Sequence, residues 1–65
     1  MRNFDPNCWY PDRSVAIHYG IGRSTLWSWV AQGRFPKPVK LGPRTTRWSG
    51  ADLLEWEKSL RNSLA

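Results

Sequence analysis

Residues 11–33, PDRSVAIHYGIGRSTLWSWVAQG, decide the fold. Pro11 is tolerated in the first turn of a helix, and Asp12 beside it suits the positive end of the helix dipole. Val15, Ala16 and Tyr19 then fall at i, i+1 and i+4, a narrow apolar face on about two turns. Gly20 stops that helix at a position suited to positive φ. Only Ile21 separates Gly20 from Gly22, so the next element begins almost at once. Leu26, Trp29 and Val30 at i, i+3 and i+4 give a second helix, which Gly33 ends. Two short helices joined by a glycine-containing turn of about three residues are the outline of a helix-turn-helix.

Downstream the period changes. RFPKPVKLGPRTTRWS, residues 34–49, holds three of the five prolines and cannot continue a helix. Val39 and Leu41 alternate with Lys40, and Thr46 and Trp48 alternate with Thr45 and Arg47. The spacing predicts a β-hairpin with strands near 38–41 and 45–48, with Val39, Leu41, Thr46 and Trp48 on the inner alternation and Arg44 at the tip. From Ser49 onward, Leu53, Trp56, Leu60 and Leu64 form one stripe opposite Glu55, Lys58 and Arg61. That is an amphipathic third helix of about 12–14 residues. Upstream, residues 1–10 (MRNFDPNCWY) show no periodicity and read as an irregular arm ahead of a domain over 11–65. The expected fold is mainly α with a small β-hairpin, a winged helix-turn-helix.

Composition narrows the function. The chain has 65 residues, ten Lys plus Arg against five Asp plus Glu, and a net charge of +5. That balance favours a polyanion partner, nucleic acid before membrane. Cys8 is the lone cysteine and His18 the lone histidine. They exclude a disulfide framework and any His/Cys metal cluster. No apolar run approaches the ~20 residues of a membrane span, and the first residues lack the apolar core of a signal peptide. A cytoplasmic location is expected. Asp52, Glu55 and Glu57 lack a partner for acid–base chemistry, so no enzyme activity, metal or cofactor is expected.

The stretch GIGRSTLWSWVAQGRFPKPVKLGPRTTRW, residues 20–48, resembles the AlpA-type phage and prophage regulators. It is also similar to bacteriophage excisionases, through Phe35-Pro36-Lys37-Pro38-Val39-Lys40, the Arg47-Trp48 pair and the DLLEW run from Asp52 to Trp56. The resemblance covers residues 10 to about 60. It implies a small DNA-binding protein with a MerR-like winged helix, acting in excision or transcription of a mobile element.

A reading helix offers its first two turns to the major groove, which selects Arg23, Ser24, Trp27 and Ser28. Arg23 suits bidentate pairing with a guanine. Thr25 suits a phosphate contact or a capping role. Trp27 flanks the apolar stripe, and packing and contact with a thymine methyl are equally open to it. Trp29, Trp48 and Trp56 fall on inward spacings and are expected in the core. In the hairpin, Lys40, Thr45 and Arg47 are expected outward, and Arg44 suits a narrow minor groove. Arg13, Arg34 and Lys37 are further phosphate contacts. The expected partner is double-stranded DNA, with an integrase or RNA polymerase as the protein partner, a monomer in solution and several copies on DNA. A small DNA-packaging subunit and a protein-interaction domain are the competing readings. A membrane-surface binder ranks last, because the basic residues concentrate in the hairpin and not on one helix face.

Overall fold

The structure, a computed structural model, describes residues 3–64. Helix α1 spans Asp12–Tyr19 and α2 spans Arg23–Ala31. The turn between them is built as its glycine requires. Gly20 adopts φ 69° and ψ 33°, and the Ile21 N–H returns to the Ala16 carbonyl at 3.0 Å. This left-handed cap satisfies carbonyls that the end of α1 leaves open. α2 ends in the same way: Gly33 has φ 73°, and the Arg34 N–H donates to the Trp29 carbonyl at 2.9 Å.

Strands β2 (Val39–Gly42) and β3 (Thr45–Ser49) form the hairpin, and α3 (Gly50–Leu64) follows directly. The segment expected to be an irregular arm contributes a strand instead. Trp9–Tyr10, β1, pairs antiparallel with β3, giving a three-stranded sheet in the order β1-β3-β2. Phe4, also from that segment, is buried in the core, and its ring lies 4.7 Å from Tyr10 and 4.0 Å from His18. No local periodicity announces this arrangement. A two-residue strand is held by distant partners, and Phe4 is buried by aromatic neighbours that the fold delivers. Met1, Arg2 and Ala65 lie outside the described residues.

The register corrects the expected facing of β2. Val39 pairs with Arg47 and Lys40 with Thr46, and Gly42 pairs with Thr45, so Leu41 is an extra residue in the ladder. Paired residues share a face. Trp48, wholly buried, fixes the inner face, which it shares with Thr46 two residues away. Lys40 is therefore on Trp48's side of the sheet, still exposed at the edge strand, while Val39 lies outside with Arg47. Val39 and Leu41 are 41% and 48% exposed. The bulk of one tryptophan outweighs two smaller apolar residues in choosing the buried face.

The core joins every layer: Phe4, Val15, Ala16, Leu26, Phe35, Trp48 and Leu53. Trp29 and Trp56, expected inside, are half-buried at its border, and Leu60 is 44% exposed. Only the first half of the α3 stripe has something to pack against, because residues 58–62 are all exposed. The Leu64 side chain lies outside the described residues. Three helices with a two-stranded wing between the second and third constitute a winged helix-turn-helix.

Candidate nucleic-acid interface

α2 is the second helix of the helix-turn-helix. Buried Leu26 fixes its inner side, and Arg23, Ser24, Thr25, Trp27 and Ser28 are exposed. Gly22 caps α2 in an extended conformation without a side-chain bond, so the first-turn N–H groups stay open to solvent or an anion. Ser28 is already engaged: its Oγ accepts from Gln32 Nε2 at 3.0 Å.

Trp27 occupies a structural junction. Its Nε1–H donates to Asp12 Oδ2 at 3.0 Å, which ties α2 to the start of α1. Its ring lies 5.1 Å from that of Trp48 at 53°, which ties α2 to β3. Trp48 in turn donates Nε1–H to the Pro36 carbonyl at 2.7 Å. α2, the start of α1 and the wing are thus held together through two indoles. Sequence spacing places Trp27 beside the core stripe but carries no sign of Asp12, 15 residues earlier, as its partner.

In the wing, Arg44 stands exposed in the β2–β3 turn, and Lys37 and Lys40 are exposed. Thr45 and Arg47 are half-buried, and Arg47 Nη1 donates to the Thr46 carbonyl at 2.9 Å. Arg13 is exposed on the first turn of α1. Arg34 belongs to another surface. With Trp29, Trp56 and Leu60 it lines a groove between α2 and α3, and its Nη1 lies 3.5 Å from Gln32 Oε1.

Charge is unevenly divided. Residues 11–49 carry seven Lys and Arg against Asp12 alone, whereas α3 holds Asp52, Glu55 and Glu57 against Lys58 and Arg61. Glu57 is engaged by Tyr19, whose hydroxyl donates to its Oε2 at 2.7 Å. Burial, then that hydrogen bond and the carboxylate charge, push the Tyr19 phenol well above its ordinary range, so it remains a donor. Among the described residues no three His, Cys, Asp or Glu side chains gather to hold a metal ion. Cys8 is free and exposed. No helix among the described residues is long and apolar enough to cross a membrane.

A family model described as prophage CP4-57 regulatory protein (AlpA) matches residues 12–61, from the start of α1 into the exposed turns of α3. No curated protein and no solved structure matches the chain significantly. The matched span contains the helix-turn-helix, the wing and most of the third helix, and the chain belongs to the AlpA family of prophage regulatory proteins.

Proposed function

We propose that the protein binds double-stranded DNA sequence-specifically, with α2 in the major groove and the β2–β3 turn in the adjacent minor groove. The observation that carries this reading is the basic segment 11–49, whose exposed cations lie on and beside an uncapped reading helix. Arg23 reads a base edge from the first turn of α2, and Ser24 and Thr25 take a base edge and a phosphate beside it. Arg44 enters the minor groove, with Lys37, Lys40, Thr45 and Arg47 on the flanking backbone. Arg13 neutralises phosphate from the start of α1. Arg34, on the α2–α3 groove, is the weakest member of the set. Trp27 serves by holding α2 against α1 and the wing, because its N–H is taken by Asp12 and its ring packs against Trp48.

A module of this size spans few base pairs. Useful specificity therefore comes from several copies of an otherwise monomeric protein on adjacent sites. In an AlpA-type regulator this binding serves transcription through RNA polymerase, or excision of the mobile element through an integrase. No catalytic step or cofactor is part of the reading, and it takes place in the cytoplasm. The test is selection from a random double-stranded DNA pool at two salt concentrations, followed by sequencing. An enriched motif whose retention falls steeply with salt is expected. Retention without a motif reduces the protein to an architectural binder, and no retention at low salt removes DNA as the partner.

A further inference from the structure

The groove between α2 and α3 shares only Arg34 with this DNA reading. Its wall is Trp29 from α2, Trp56 and Leu60 from α3, and Arg34 from the segment between α2 and β2. Buried Phe35 lies beneath, with ring centroids 6.4 Å from Trp29 and 4.6 Å from Trp56. The groove is rigidly built. Arg34 is pinned at both backbone ends: its N–H donates to the Trp29 carbonyl and its carbonyl accepts from Trp56 Nε1, each at 2.9 Å. Beyond Trp56 the exposed turns of α3 carry Leu60 clear of the body as one more apolar contact.

Its position and charge indicate what it receives. Trp29 is about 200° around α2 from Trp27, so the groove faces away from Trp27, while Thr25, one turn before Trp29, marks where it borders the proposed DNA-contacting surface. The adjoining surface along α3 is lined by Asp52 and Glu55, both exposed. In a chain of net charge +5, three of the five acids fall within residues 52–57 of this helix. Glu57 is taken by Tyr19, and on this surface Asp52 and Glu55 outnumber Arg34, so it attracts cations. Two helices flanking an apolar floor accept a third amphipathic helix through its apolar side chains.

We propose that this groove is a docking site for a basic amphipathic helix of a protein partner, held by apolar side chains against Trp29, Trp56 and Leu60 and by Lys or Arg against Asp52 and Glu55. The site uses neither Arg23 nor Arg44, the residues proposed to enter the two grooves of DNA.

The test uses the full chain and a short synthetic peptide with leucines at i, i+3, i+4 and i+7 and lysines elsewhere. A second peptide replaces each lysine with glutamate. The indole N–H resonances are followed by NMR. The lysine peptide is expected to shift Trp29 and Trp56 while leaving Trp9 and Trp27 in place, and the glutamate peptide to leave Trp29 and Trp56 unmoved. The Asp52→Asn, Glu55→Gln double variant weakens lysine-peptide binding roughly two- to tenfold. Leu60→Ala, at an exposed position that the fold does not need, weakens it as well. Unmoved Trp29 and Trp56, or an equal response to both peptides, would overturn the proposal. So would Trp29 and Trp56 signals that move with protein concentration alone, which would assign the groove to a second copy. None of these outcomes depends on whether the chain binds DNA.

Discussion

Trp27 separates two roles that sequence alone leaves superimposed. Trp27→Phe removes the N–H to Asp12 but keeps a ring against Trp48. It should cost about 0.5–1.5 kcal/mol of stability in denaturant melts, and it should lower affinity alike on every duplex. Arg23→Ala should instead leave the melt unchanged and relax base preference, costing about 1–3 kcal/mol on the best site; equal loss on random DNA would make Arg23 a phosphate contact. Tyr19 gives a prediction in pH. Its phenol titrates above the ordinary 10.0 in the fold, so its contribution is complete below that value and is lost as pH rises beyond it. Alkaline melts should show stability falling above about pH 10, and Tyr19→Phe should flatten that decline.

At the level of elements, the junction of β3 and α3 depends on a residue without a side chain. The Gly50 N–H donates to the Cys8 carbonyl at 2.9 Å, and a Cβ there would collide with the Asp5 carbonyl and press on the Tyr10 ring. Gly50→Ala should therefore release the segment carrying Phe4 and β1. A loss of about 1–3 kcal/mol in thermal or chemical melts is expected, with amide exchange rising first at Trp9 and Tyr10. In the wing, Arg44→Ala should weaken binding most on sites with A/T-rich flanks. An unchanged footprint at those flanks would take the turn out of the interface. The helices and the hairpin were legible because glycine stops, proline exclusions and apolar spacing are local signals. β1 was not, since two residues carry no period and their partners, Ser49 and Trp48, lie far downstream in the chain. Nor was the inner face of β2, because Val39 and Leu41 alternate as buried residues do, and only pairing across to Arg47 turns Val39 outward. Of the candidate interface, the cations could be read from the chain, whereas the Asp12–Trp27–Trp48 junction that orders them could not.

For the molecule as a whole, the division between a basic body and an acidic stretch of α3 predicts how binding responds to ions. Log affinity for duplex DNA should fall linearly with log salt, and removing one phosphate-contacting cation among Arg13, Lys37 and Lys40 should reduce the slope by about one. Arg34→Ala should leave the slope nearly intact if that side chain serves the α2–α3 groove. The same overall view gives the tilted ring pair Trp27 and Trp48 another significance. Two indoles 5.1 Å apart and inclined at 53° couple their electronic transitions. Folded protein should therefore carry an excitonic couplet in circular dichroism, its sign and amplitude set by the relative orientation of the two indole rings. A spectrometer then follows the contact between α2 and β3 through this ring pair, without an added label, while the helices themselves remain unmelted.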